Sequence, residues 1–527
     1  EKRIYGESRP QAAYTNSRGA VWKQYDGAGL AVNETIDYSG NLAEASRRLL
    51  VDGRNTEVHW PVNAAGDFDE PAAVNLLETI TRLNTAAYAV FTKYDALNRI
   101  TQARLPDGTL QTPSYNPAGL LESLGVQHVN QGPEQIVKNI DYNAKGQRER
   151  VEYGNGIMSS FTYEPQTFRL ATLESSRGTP SPKRLQLLHY TYDPVGNITR
   201  IRDEAHATVF NHNQAVNPES RYTYDALYRL VEASGREHEA VTACRYRSSW
   251  DHKQSMFLPF PQPAANAQAL INYRETYQYD RSGNIERIEH INALRTTIRR
   301  QTYGVQSNRI VSSSAGCQEE DQPIIHDENG NITSLPHLHE MVWDFKNQLI
   351  EAELNQGPTP NRVYYQYDGQ GRRVRKTVVK NNGSHVSERI YLGGLEIYTE
   401  TVSNAVQAHR ETIHVMDDKN RVAIIERERN PGDIQQITGR TLRFQLSNHL
   451  GSATGELDGS AQWLSYEEYY PYGGTAYMAG RNRAETSLKR YRYSGKERDD
   501  ETGMYYYGAR YYAPWMGRWI SCDPEGT

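Results

Sequence analysis

Polar and apolar positions along this chain fall into short blocks that repeat one plan. An aromatic residue closes a run of β-formers, an acid follows, then a polar gap holding Gly or Asn, and an apolar residue opens the next run. Clear copies are Tyr25-Asp26 with Gly29, Tyr94-Asp95 with Asn98-Arg99-Ile100, and Tyr192-Asp193 with Gly196-Asn197-Ile198. Others are Tyr224-Asp225 with Arg229-Leu230, Tyr279-Asp280 with Gly283-Asn284-Ile285, and Tyr367-Asp368 with Gly371-Arg372-Arg373-Val374. Weaker copies stand at Tyr115-Asn116, Tyr142-Asn143, Asp327 to Ile332 and Trp343-Asp344. Each unit predicts strand, tight turn, strand: the Asp caps the turn and the Gly or Asn takes positive φ. Where copies are close, spacings such as 21 residues (94 to 115) and 24 (343 to 367) are hairpin-sized.

After Asn284, Ile285 and Ile288 are mixed with Glu286, Arg287 and Glu289, which reads as a strand of period two, one face buried and the other wet. Helical signals are few. Glu70 to Leu83 has apolar positions near helical spacing and Pro71 at a plausible first turn, so it reads either as a helix or as a surface insertion. The segments Ser248 to Ala269 and Gln301 to Pro323 read as loops between repeats, too short to divide the chain into independent domains.

Composition sharpens this to an all-β chain of unusual polarity. There are 37 Tyr against 9 Phe and 7 Met among 527 residues, so strand faces are filled with rings that keep a hydroxyl for water. A mean hydropathy of −0.78 is low for a compact body of this length, which would bury a large share of its surface. Disorder fits poorly, because turn signals and β-formers recur from end to end. The expectation is a sheet wetted on both sides, curved into a thin wall around an aqueous interior.

Other features narrow the function. A net charge of −5, with no arginine-rich stripe, argues against nucleic acid as the main partner. Cys244, Cys317 and Cys522 cannot form a disulfide framework, and no apolar run approaches the roughly 18 residues of a membrane span. The start at Glu1, without Met or signal peptide, suggests a piece of a longer polypeptide. His337 and His339 would share one strand face in a ligand-like way, but no second cluster completes a zinc site. Asp327 to Asn331 resembles a calcium loop yet lacks the bidentate Glu, and reads better as a repeat turn. No cofactor is expected.

The densest signal lies near the end, from Tyr505-Tyr506-Tyr507-Gly508-Ala509-Arg510 through Trp519 to Cys522-Asp523-Pro524. Arg510 and Asp523 stand in fixed register there. Asp523 before Pro524 is also a common turn-forming pair, and Arg510 among tyrosines could simply stack, so a structural role stands beside a chemical one. Asp499 and Asp500 are neighbours that would point to opposite faces of a strand and cannot readily share a proton, so they read as a turn. Cys522 with His449 as base would make a cysteine nucleophile, but no spacing specifies that pairing.

The repeats resemble the YD repeats of the Rhs/YD superfamily, which also includes teneurins. The block from Arg443-Phe444-Gln445-Leu446-Ser447-Asn448-His449-Leu450-Gly451 through Tyr466-Glu467-Glu468-Tyr469-Tyr470-Pro471-Tyr472-Gly473 to Asp523-Pro524 resembles the Rhs repeat-associated core. With Gly495-Lys496-Glu497-Arg498-Asp499 its wording is similar to the B and C components of insecticidal toxin complexes. The resemblance implies an antiparallel β-strip spiralled into a large hollow shell over residues 1–442, with residues 443–527 plugging one end. It implies a secreted bacterial toxin whose shell holds an unfolded C-terminal toxin segment of the same polypeptide. The implied partners are that segment, the other half of the shell (an upstream B-like region or a separate B component) and a pore-forming A component. It further implies self-cleavage by an aspartic-protease-like pair of carboxylates. Asp523 matches the first, with Arg510 beside it, and the second Asp is expected downstream, so the chain ending at Thr527 would not cut itself.

Two other classes compete. A teneurin-like adhesion scaffold would enclose no cargo and would be expected to carry EGF-type cysteines. A glycan-processing enzyme would need paired carboxylates in one cleft, which a strand-turn repeat gives no reason to expect.

Overall fold

The computed structural model describes residues 1–178, 183–239, 258–259, 269–314, 321–482, 486 and 488–525. The chain divides into two compact units, one of Glu1–Lys138 with Glu340–Leu442 and one of Asn139–His339 with Arg443–Thr527. Both are largely antiparallel β structures in which most strands pair with their neighbours along the chain. In the first unit the meander runs from Lys2–Tyr5 through Val21–Asp26, Gly29–Ile36 and Leu42–Leu49 to Tyr88–Tyr94, and on to Leu121–Gln127. A second run goes from Met341–Trp343 to Arg421–Asn430. In the second unit the strands from Arg148–Tyr153 to Ile310–Ser314 form one meander. Ala453–Leu457, Trp463–Tyr469 and Thr475–Gly480 form another.

The repeat turns have one construction. In Asp280, Oδ1 accepts from the N–H groups of Ser282 and Asn284, both at 2.8 Å, and Oδ2 accepts from Asn284 Nδ2 at 2.8 Å, while Gly283 takes φ +89°. Asp225 does the same with Leu227 and Arg229, and Asp368 with Gln370 and Arg372. The weaker copies obey it too: Asn143 caps Lys145 and Gln147, and Asp327 caps Asn331. Tyr25-Asp26 departs from the plan. Its strands join through Gly27-Ala28, and Asp26 is turned onto Arg47.

The hydroxyls of several repeat tyrosines do not face water as expected. Those of Tyr192, Tyr224, Tyr279 and Tyr367 donate to the carbonyls of Leu170, Ile198, Leu230 and Leu349, each a residue that opens an earlier strand. A phenol is long enough to reach the neighbouring strand's backbone, and a one-residue register shift precedes each of these tyrosines.

Nor are both faces wet throughout. Arg373–Lys380, Arg421–Asn430 and Thr475–Gly480 each carry six consecutive buried residues. The low hydropathy arises because ion pairs fill part of the interior. Arg375 is 1% exposed and contacts Glu388 Oε2 at 2.7 Å, the Leu50 carbonyl at 2.6 Å and Glu78 at 3.4 Å. Arg427 reaches Asp107 and Glu411, which also takes Arg429. In Ile285–Asn292 the expected alternation fails as well: Ile285, Ile288 and Ile291 recur every third position, so they fall on both faces and Ile285 alone is buried.

Two local expectations change. The helix ends early, at Glu70–Val74, capped by Asp69 on Ala72 N at 3.1 Å, because Glu78 N is drawn to the Leu49 carbonyl. With Glu44 paired to Phe91, residues 50–87 are an excursion between adjacent strands. Gln301 to Ser314 is the end of one strand, a tight turn at residues 304–309 and the strand Ile310–Ser314 rather than a loop, with Ser314 Oγ accepting from Arg300 N at 2.8 Å. Cys244, Cys317 and nearly all of the Ser248–Ala269 segment lie outside the described residues.

Candidate functional site

The last described stretch forms a small sheet of Glu497–Arg498, Tyr505–Tyr506, Tyr511–Ala513 and Arg518–Trp519. Its strands are two or three residues long because tight turns separate them; Gly508, at φ +91°, sits in the one that delivers Arg510. The turn is closed by Tyr507 N donating to the Arg510 carbonyl at 2.9 Å. Register then places Trp519 opposite Tyr512, and the Arg510 guanidinium lies 4.4 Å from the Trp519 ring centroid. Tyr507 and Tyr512 pack against the same indole at 5.0 and 5.3 Å.

From that platform Arg510 Nη2 reaches Asp523 Oδ2 at 2.9 Å. The other oxygen, Oδ1, accepts from Glu525 N at 3.2 Å. The chain before Asp523 is pinned at three points: Ile520 N on the Tyr511 carbonyl, Ile332 N on the Ile520 carbonyl, and Cys522 Sγ on the Asn329 carbonyl. Asp523 keeps 40% of its side chain exposed and Arg510 23%. The arrangement holds a carboxylate in a fixed orientation while leaving it open to a further group. The structure brings Arg510 and Asp523 into contact, and it adds Trp519, which sequence reasoning missed and whose place under the guanidinium follows from strand register.

The same unit anchors this small sheet to the repeat strands. Arg299 Nη1 donates to the Trp515 carbonyl at 2.7 Å and Gln301 Nε2 to the Met516 carbonyl at 3.2 Å. Tyr505 and Tyr512 donate to the Gly473 and Tyr472 carbonyls, both at 3.0 Å. Beneath lies a buried ion cluster in which Lys489 Nζ is 3.0 Å from Glu467 Oε2 and 2.7 Å from the Ala453 carbonyl. Burial pushes Glu467 up, but Lys489 and Arg492 override it and hold the carboxyl at about 2.

The rival constellations are not assembled. His449 packs edge-on against Tyr190 at 5.2 Å, whereas Cys522 donates to Asn329. Asp499 is buried at the start of a turn closed by Gly503 N on its carbonyl at 2.7 Å. His337 lies in a turn rather than on a strand face, packs edge-on against Trp515, and is held down to about 3 by burial. Among the described residues no group of three or more His, Cys, Asp or Glu is placed to hold a metal, and no helix is long and apolar enough to cross a membrane.

No family model matches the chain. Individual proteins do. Toxin subunit YenC2 of Yersinia entomophaga is 35% identical over 99% of this chain and 53% of its own length. The crystal structure of TcdB2-TccC3 superposes with a TM-score of 0.85 at 32% identity, covering 100% of this chain and 24% of that one. The Photorhabdus luminescens Tc holotoxin pore matches equally, at 0.85 and 32%, covering 100% of this chain and 23% of that one. The chain spans about half the length of the curated relatives it matches, 53% and 51% for the two Yersinia subunits. With the Tyr-Asp repeat turns built as above, and end-to-end similarity to such subunits, the chain belongs to the Rhs/YD-repeat family of insecticidal toxin-complex proteins.

Proposed function

We propose that this chain is the shell segment of a secreted bacterial toxin complex, and that its terminal block helps to free an enclosed toxin polypeptide by self-cleavage. Residues 1–442 act as the repeat shell and residues 443–527 as the core that plugs it. The partners are a toxin segment of the same polypeptide, the other half of the shell and a pore-forming component. Similarity along the whole chain to toxin-complex subunits supports the assembly role, and the Arg510–Asp523 contact is the observation that carries the chemical one.

In the cleavage reaction Asp523 is one member of a carboxylate pair, the second coming from further along the polypeptide. One member, ionised, takes a proton from the attacking water while the other, protonated, donates to the carbonyl oxygen of the scissile bond. Arg510 holds Asp523 by one oxygen, fixing which lone pairs meet the reacting groups. Enclosure suits an unfolded cargo, whose apolar side chains would otherwise collapse or aggregate in water.

The test is expression of the full-length polypeptide, with electrophoresis and intact-mass measurement of the products. The native protein should yield two fragments, and Asp523→Asn one uncut chain of unchanged thermal stability. Cleavage at the same bond in Asp523→Asn removes the catalytic assignment. Enclosure predicts that the released fragment resists added protease until the shell is denatured, and digestion of that fragment in the native state would remove it.

A further inference from the structure

The first unit holds a cavity of about 410 Å³ that lies far along the chain from Arg510 and Asp523 and plays no part in the proposed cleavage. Its volume falls in the usual range for small-ligand sites, roughly 300–1,000 Å³. The walls are aromatic, with Trp60, Trp343, Phe345 and Tyr365 contributing rings, and Phe345 is 88% exposed at the mouth. They come from three stretches of chain: the excursion after Leu49, the strand Met341–Trp343 with the turn that follows it, and the strand Arg362–Tyr367.

Carboxylates face the same space. Asp26 and Asp368 are already matched, by Arg47 at 2.8 Å and Arg372 at 3.0 Å. Asp344 and Glu57 are not. Asp344 Oδ1 accepts from the N–H groups of Lys346 and Gln348, as a repeat turn requires, and among the described residues neither acid has an ion pair. The nearby Lys346 ammonium contacts Glu1 at 3.5 Å and acts on Asp344 through space alone. Burial, with the Glu57 charge adding to it, pushes Asp344 above the usual carboxylate range against the turn N–H groups and Lys346. One wall also carries a donor without an acceptor: Trp60, nine-tenths buried, has no hydrogen-bond partner for Nε1–H.

Unmatched negative charge beside ring faces is complementary to an organic cation, which the π faces and the acids attract together. A hard metal ion fits worse, because it needs six or more oxygen ligands that aromatic walls do not offer. We propose that this cavity binds an alkylammonium or guanidinium group, held by Asp344 and Glu57 against the rings of Trp60, Trp343 and Phe345. The cation can belong to a free amine or to a basic side chain of a polypeptide.

The experiment titrates the full chain with tetramethylammonium chloride and with Nα-acetyl-arginine methylamide, read by saturation-transfer NMR and calorimetry. Saturable binding of either is expected, weakened about fivefold by Glu57→Gln and by Asp344→Asn, the effect of losing one contact to the cation. Glu57 is exposed and Asn can cap the Asp344 turn, so both variants should fold. Tighter binding of the arginine derivative than of tetramethylammonium points to a basic side chain of a polypeptide as the natural ligand, and the reverse order to a free amine. Equal binding of the neutral citrulline analogue, binding of a neutral disaccharide in place of the cations, unchanged affinity in both acid variants, or no binding of either cation would overturn the proposal.

Discussion

The Tyr279 hydroxyl donates to the Leu230 carbonyl at 2.7 Å, across 49 residues of chain. Tyr279 ends one strand and Leu230 opens another, so each repeat is tied by its aromatic to the one before. The ring fills the space between strands and the hydroxyl satisfies a backbone acceptor, which explains why this array uses Tyr where Phe would pack as well.

That tie has a depth-dependent worth. Tyr367 bonds the Leu349 carbonyl in a buried setting, whereas Tyr115 bonds the Ile100 carbonyl near the surface. Tyr367→Phe should cost about 1–2 kcal/mol and Tyr115→Phe less than about 0.5 kcal/mol, read from urea unfolding. Equal costs would mean that burial of the acceptor does not set the value.

The Lys489–Glu467 pair should govern stability in acid. Glu467 is held at about 2 in the folded protein, below its value of 4.5 when unfolded. A depressed carboxyl stabilises above its unfolded pKa, and that contribution is lost as pH falls from about 4.5 towards 2. Lys489→Met leaves the carboxylate buried beside Arg492 alone and should cost about 3–5 kcal/mol at neutral pH. In the variant, thermal stability should fall less steeply over that acid window than in the native protein.

His290 sets the opposite limb. Nδ1 is 3.1 Å from Glu275 and Nε2 3.0 Å from Glu237. Burial pulls the imidazole down, but the two carboxylates override it and raise it to about 10. A raised group stabilises below its unfolded value of 6.5, and the contribution disappears as pH rises to about 10. Nitrogen chemical shifts should report an imidazolium at pH 8, and His290→Gln should flatten the loss of stability between pH 7 and 10. A neutral ring at pH 8 would refute this assignment.

Arg510 acts on Asp523 by geometry, and a charge alone should not replace it. Lysine lacks the planar group that lies over Trp519 and points at Oδ2. In the full-length polypeptide Arg510→Lys should slow self-cleavage by about 10- to 100-fold, the scale of a misplaced catalytic group, with little change in melting temperature. A matching loss of stability would show that Arg510 serves the fold alone.

What the sequence made legible and what it hid differ in range. Turns such as Asp225 to Arg229 were legible because donor and acceptor lie within five residues, so the local sequence carries the whole interaction. Arg510 and Asp523 were legible through their family wording, though the indole that seats the guanidinium was not. The expectation of two wet faces failed at Arg375, whose partner Glu78 is 297 residues away. Hydropathy counts each residue singly, and a charge that finds its opposite after folding looks the same in sequence as one that stays in water.

By itself, then, the sequence determined the hairpins, their turns and their order, because those depend on φ preferences and hydrogen bonds between near neighbours. Tertiary structure decided which charges were buried in pairs, such as Lys489 with Glu467, and which were left facing a cavity, such as Asp344 and Glu57. The reason is that pairing energy and desolvation depend on distances between strands remote in the chain, and these exist only once the strip has folded.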